Sequence, residues 1–136
     1  MADKIKIEVV TPEKLVVSDD AEIVVAPGAL GEFGALSGHT PFLSTLKTGT
    51  LRYVDSNGKE RYVFISGGFA EVLPDKVSVL AESAERKSEI DIDRARTALE
   101  RAEKRLQSDD KDIDINRAQS ALERASYRLK LAEADG

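Results

Sequence analysis

Between Asp75 and Asp135 the chain has no glycine and no proline, whereas all four prolines and eight of the nine glycines come before residue 75. These two residue types make tight turns and end regular helices. A stretch free of both can run as long helices, while the punctuated part has to fold as short segments joined by turns. Six of the seven aromatic residues also lie before residue 75. Charge follows the opposite trend. Residues 85–136 hold 12 Lys/Arg and 13 Asp/Glu in 52 positions, against 8 and 12 in residues 1–84. The composition changes near Ala81 to Lys87, so the chain reads as two parts, 1–84 and 85–136.

The first part reads as strands. Lys4-Ile5-Lys6-Ile7-Glu8-Val9 alternates with period two, giving one apolar and one wet face. Glu22 to Ala26 is a second run. Leu51 to Val54 and Arg61 to Ile65 flank Asp55-Ser56-Asn57-Gly58, where Asn-Gly predicts a hairpin with positive φ at both central residues. Glu71-Val72-Leu73 and Lys76 to Leu80 flank a second turn at Pro74-Asp75. This spacing predicts a flattened antiparallel β-sandwich or barrel.

The second part predicts an antiparallel α-helical hairpin, with helices over about 91–107 and 113–133. Ala95, Ala98, Leu99, Ala102 and Leu106 share one helix face. Ile115, Ala118, Leu122, Ala125, Leu129 and Ala132 form a heptad-like seam. Ser88-x-x-Asp91 reads as an N-terminal cap before the first helix, with Asp91 itself also a helix-cap candidate, and Asp112 or Asp114 reads as the cap of the second. The helices are near-copies: Ile90-Asp91-Ile92-Asp93-Arg94-Ala95 returns 23 residues on as Ile113-Asp114-Ile115-Asn116-Arg117-Ala118. Burial is worth about 0.8 kcal/mol per CH₂, and alanine offers a single methyl. Such a seam is stable by a few kcal/mol at most, so the hairpin is expected to open when a partner offers a better surface.

Several kinds of chemistry are excluded. There is no cysteine, hence no disulfide, thiolate site or cysteine nucleophile. A single histidine, His39, excludes any site needing two imidazoles. A lone loop histidine is most simply a hydrogen-bonding residue. Gly58-Lys59 is followed by Glu60, so no phosphate loop forms, and Gly28, Gly31 and Gly34 do not fit a dinucleotide fingerprint. With net charge −5, nucleic acid is not an expected partner. Met1 to Glu8 has no signal-peptide core and no apolar run reaches membrane-span length, so a cytosolic address is expected.

Four arginines raise a further possibility. Arg94 and Arg101 are seven apart and Arg124 and Arg128 four apart, so each pair shares a helix face. Guanidinium groups converging across a hairpin would suit a phosphate. Spacing alone favours the simpler reading, salt bridges to Glu100, Glu103 and Glu123.

Certain motifs are more specific. Val10-Thr11-Pro12, the segment Gly31-Glu32-Phe33-Gly34-Ala35-Leu36-Ser37-Gly38-His39-Thr40-Pro41, Ser66-Gly67-Gly68-Phe69-Ala70-Glu71-Val72 and Val77-Ser78-Val79-Leu80-Ala81 lie in the first part. Ile90-Asp91-x-x-Arg94-Ala95 lies in the second. Over essentially its whole length the chain resembles the epsilon subunits of bacterial F-type ATP synthases. Phe33 and Ser37 stand where that family usually has Leu and Pro.

The resemblance implies a rotor subunit in the central stalk that couples proton flow to ATP synthesis and does no chemistry itself. Its sandwich would pack on the gamma subunit and the c-ring, with Glu32 and His39 near the rotor contact. Its C-terminal helices, when extended, would inhibit ATP hydrolysis, with Arg117, Arg124, Arg128 and Lys130 meeting the beta subunit in the alpha/beta head. Folded, they would hold a regulatory ATP, with or without Mg, through Glu85, Ile90, Asp91, Arg94, Ala95, Arg101, Arg124 and Arg128. No cofactor is obligatory. The address implied is the cytoplasmic side of the bacterial plasma (inner) membrane, reached only through the complex. The alternatives are a free-standing β-sandwich adaptor with a helical partner-binding arm, which would not co-purify with gamma, and a small nucleotide-sensing enzyme, which would turn over ATP.

Overall fold

A computed structural model describes residues 3–134, and Met1, Ala2, Asp135 and Gly136 lie outside the described set. The chain divides into two units, Met1–Lys87 and Ser88–Gly136. The first contains nine strands: β1 (Ile5–Val10), β2 (Leu15–Gly28), β3 (Gly31–Ala35), β4 (Phe42–Thr45), β5 (Gly49–Asp55), β6 (Glu60–Ser66), β7 (Phe69–Val72), β8 (Lys76–Leu80) and β9 (Ser83–Arg86). The second contains a 3-10 turn at its start and two helices, α1 (Ile92–Gln107) and α2 (Ile115–Glu133). A β-sandwich followed by a helical hairpin is the expected fold.

The strands run in the order β4-β7-β8-β1-β2-β5-β6-β9, with β3 beside β2. β2 holds the layers together. Its first half pairs with β1, and its second half with β3 and β5. Its register with β5 shifts between Ala21 and Ile23, the kind of irregularity that bends a strand from one layer to the next. Alternation decides which side chains face inward. Ile5, Ile7 and Val9 from β1, Leu51 and Tyr53 from β5, and Val77 and Val79 from β8 are buried together. One pair departs from the expected all-antiparallel pattern: β1 runs parallel to β8. The N-terminal strand enters between β2 and β8, and only one of the two neighbours can oppose it.

The boundary expected after residue 84 falls within β9, which continues to Arg86 because Ala84 is buried and the strand pairs with β6. The Asn-Gly hairpin also differs from its expectation. Gly58 has φ +76, but no non-glycine residue has positive φ among the described residues. Gly58 N–H donates to the Asp55 carbonyl at 3.0 Å, a turn closed by one left-handed glycine rather than two such residues. Asp55 takes over the rest. Its carboxylate accepts from the backbone N–H groups of Asn57 and Lys59 and from Arg61 Nε at 3.0 Å.

Those donors set a pH dependence. The Lys59 N–H and the Arg61 guanidinium hold the Asp55 carboxyl below its ordinary value, against an opposing effect of burial. A depressed carboxylate stabilises the fold above its unfolded pKa, and that contribution disappears as pH falls through the folded value. Asp55→Asn should therefore lower the melting temperature at neutral pH and flatten the loss of stability on acidification. Parallel melting curves for the two proteins between neutral and strongly acidic pH would contradict this.

Candidate functional site

In the helical unit each element of the repeated sequence does the same job twice. Asp91 caps α1 and its carboxylate accepts from the Arg94 N–H at 3.0 Å. Asp114, rather than Asp112, caps α2 and accepts from the Arg117 N–H at 3.1 Å. Capping satisfies backbone donors that the first helical turn leaves open. The helices pair through small residues: Ala95 and Ala102 on α1 and Ala118 and Ala125 on α2 are buried. Leu99, Leu106, Leu122 and Leu129 flank this line half-buried. Ile115, placed in the seam by spacing, is instead 61% exposed. It is the first residue of α2, before the stretch in which alanine meets alanine. Arg96 Nη2 and Glu133 Oε1 pair at 3.0 Å, joining the start of α1 to the end of α2, as an antiparallel hairpin requires.

The sequence-selected residues occupy several environments. Arg94 and Arg101 are exposed on α1, while Arg124 and Arg128 are half-buried on α2. Arg117 and Lys130 are exposed on α2. Ile90 and Ala95 are buried. Glu85 is half-buried on β9, opposite Phe64 in the β6 ladder. Glu100, Glu103 and Glu123, the partners expected for the arginines, are exposed. The motif Asp91 has a structural task of its own, since its repeat copy Asp114 does the same work.

In the sandwich, Glu32 is exposed on β3. His39 Nδ1 donates to the Thr40 carbonyl at 2.6 Å, which fixes the ring beside Phe42 at 5.1 Å between centroids. Phe42 in turn meets Phe33 edge-on at 4.9 Å. Leu30, at the β2–β3 turn, is wholly exposed, and Leu36 and Leu43 are more than half exposed. Apolar groups left in water along one hairpin and one short strand are suited to contact with another protein. The sequence contained this signal in the leucines of an otherwise polar loop region, but only the fold shows that they are exposed. Among the described residues no group of three or more His, Asp or Glu is placed to hold a metal ion, and no helix is long and apolar enough to cross a membrane.

These features define a class of two-part chains, a β-sandwich followed by a capped helical hairpin with an alanine seam. The chain belongs to the ATP synthase Delta/Epsilon family. Residues 4–87 match the description "ATP synthase, Delta/Epsilon chain, beta-sandwich domain", and residues 88–133 match "ATP synthase, Delta/Epsilon chain, long alpha-helix domain". It is 64% identical over 108 residues to an ATP synthase epsilon chain of Desulfosudis oleivorans, covering 79% of this chain and 81% of that one. It is 66% identical over 108 residues to one from Desulfatibacillum aliphaticivorans, covering 79% and 77%. Among solved structures, a chain in the Euglena gracilis mitochondrial ATP synthase, described as OSCP/F1/c-ring, superposes with TM-score 0.80 at 28% identity, covering 96% of this chain and 82% of that one. A chain of the Tetrahymena thermophila mitochondrial ATP synthase central stalk and c-ring shares the fold, with TM-score 0.61 at 16% identity over 96% and 98% of the two chains.

Proposed function

We propose that this chain is the central-stalk epsilon subunit of a bacterial proton-translocating F-type ATP synthase. It turns with gamma and the c-ring on the cytoplasmic side of the inner membrane, is held there through the complex, and leaves catalysis to the alpha and beta subunits. Relatives named epsilon chain at 64% and 66% identity support the assignment. The exposed leucines and the Phe33–Phe42–His39 cluster support a protein-facing sandwich, with Glu32 and His39 at the rotor contact.

The observation that carries the regulatory part is the alanine seam. Four buried alanines and one buried leucine, Leu131, with further leucines only half-buried beside them, bury little apolar area, so the folded hairpin and an opened form are expected to differ by a few kcal/mol. Extended, α2 would present Arg117, Arg124, Arg128 and Lys130 to the beta subunit and block ATP hydrolysis. ATP held by Arg94, Arg101, Arg124 and Arg128 would favour the folded form. The stabilisation is RT ln(1 + [L]/Kd), about 2.7 kcal/mol at a hundredfold excess over Kd.

Calorimetric titration of the whole chain with ATP, with and without Mg, tests the gating. Saturable binding between micromolar and millimolar ligand is expected. Arg101→Ala and Arg128→Ala should abolish it, and Asp91→Ala should weaken it more than Asp114→Ala, which removes the equivalent cap from the other helix. Absence of saturation at several millimolar ATP would leave the arginines to salt bridges or to the inhibitory contact. Equal effects of the two cap variants would leave Asp91 with a purely structural task.

A further inference from the structure

The ladder between β1 and β2 skips a residue. Val9 faces Val17 and Val10 faces Leu15, so Val16 is the extra residue of a bulge. Val16 is buried, and a carbonyl in that position needs a donor from outside the ladder. Arg86 provides one: its Nε donates to the Val16 carbonyl at 3.0 Å, across 70 positions of sequence. Arg86 is the last residue of β9, a four-residue strand at the end of the strand order. A short terminal strand is the part of a sheet that frays first.

A polar pair lies near the guanidinium. Tyr53 Oη donates to Asp19 Oδ2 at 3.0 Å. Burial, reinforced by Asp19, pushes the Tyr53 phenol up to about 12, and the Arg86 charge acts on it in the opposite direction, so the three groups share one neighbourhood. The next residue adds a second hold: Lys87 Nζ lies 5.5 Å from the Tyr62 ring centroid, over the β6 strand that pairs with β9. Immediately afterwards the backbone enters the 3-10 turn Lys87–Glu89, and Asp91 then caps α1.

We infer that Arg86, seconded by Lys87 on Tyr62, is a clasp that keeps β9 in the sandwich and sets the pivot of the helical arm at residues 88–91. The clasp stands on contacts inside the sandwich, and only its use as a pivot rests on the regulatory reading above. Without it, an arm under load would peel β9 away from β6, and the arm would lengthen by a strand.

Hydrogen exchange of the full-length protein, read by mass spectrometry, tests this. In the native chain, amides of 84–86 should exchange nearly as slowly as those of β6, and amides of 88–91 much faster. Arg86→Ala should speed exchange in β9 by about tenfold or more, as loss of a charge-assisted hydrogen bond implies. β1 and β5 should be unchanged, and Arg86→Lys should restore part of the protection. Unchanged β9 rates in Arg86→Ala, or fast exchange of β9 in the native protein, would overturn the clasp. Should Arg86→Ala loosen the whole sandwich, Lys87→Ala provides the local test: faster β9 exchange supports the clasp and an unchanged rate opposes it. Hydrolysis by the reconstituted enzyme is read separately. A loosened β9 in a subunit that never inhibits would keep the clasp and remove its role as a pivot.

Discussion

Gly68→Ala should destabilise the sandwich by about 3 kcal/mol or more, the largest single-residue effect expected outside the apolar core. Gly68 has φ +97, and a β-carbon there would lie 2.0 Å from the Leu80 carbonyl oxygen and 2.8 Å from Ala81 Cα. Both are backbone atoms of the segment that β7 pairs with, where Phe69 faces Leu80. No rotamer change relieves that contact, so β7 and β8 have to separate. The Gly68 carbonyl also accepts from the Leu46 N–H at 2.8 Å, so the distortion reaches the end of β4. The neighbouring glycine is the control. At Gly67, with φ +68, an added carbon meets the Glu82 carboxyl at 3.0 Å, which is a side chain that can swing away. Gly67→Ala should cost about 1 kcal/mol, the ordinary penalty of a left-handed alanine. Denaturant unfolding measures both. Equal, small losses would mean that β7 does not approach β8 as closely as described.

Ala102→Leu should shift the helical hairpin toward its opened form about five- to a hundredfold. Ala102 is 1% exposed and lies in a seam made of alanines. Leucine adds three carbons where the helices touch, and overpacking of that kind costs about 1–3 kcal/mol. For a hairpin with the few kcal/mol of stability expected of an alanine seam, this is a large share of the total. Faster amide exchange throughout α1 and α2 should accompany weaker ATP hydrolysis by the reconstituted enzyme, if, as proposed above, the opened arm is the inhibiting one. Ser126→Leu, on the exposed side of α2, should change neither. If Ala102→Leu opened the hairpin and hydrolysis stayed the same, the arm would not be the regulator. If the hairpin stayed closed, the seam would have room that the buried alanines do not suggest.

Much of this was legible in sequence, for physical reasons that differ between the two units. Helices are local: Asp91, Asp114 and the alanines at seven-residue spacing act on neighbours a few residues away, so caps and seam could be read from spacing. β1, β5 and β8 were also legible, because each alternates against a single core, and β6 was legible as an apolar run whose last four residues are all buried. The first half of β2 was not predicted, nor were β3, β4 and β9. β3 is Gly-Glu-Phe-Gly-Ala, β4 is four residues long, and β9 ends in Glu85-Arg86. None of these has an apolar rhythm of its own, and each is a strand only because a neighbour already holds the ladder open to it. Ile115 failed for a related reason: periodicity places it on the seam, but the packing of one helix on the other decides where the seam begins.

The sequence alone determined that the chain has two parts of different architecture, that the second is a near-duplicated helical hairpin with an alanine-rich seam, and that no cysteine or paired imidazoles were available for chemistry. These follow from composition and short-range spacing, which act without knowledge of the rest of the fold. Only the tertiary structure decided that β1 lies parallel to β8, that Gly68 presses against the Leu80 carbonyl, that the leucines of the β2–β3–β4 region are exposed, and that Arg86 reaches a bulge 70 residues away. Those outcomes depend on pairings between segments distant in the chain. The free energy of such a pairing is set by the partner strand and its register, and local sequence carries no record of either.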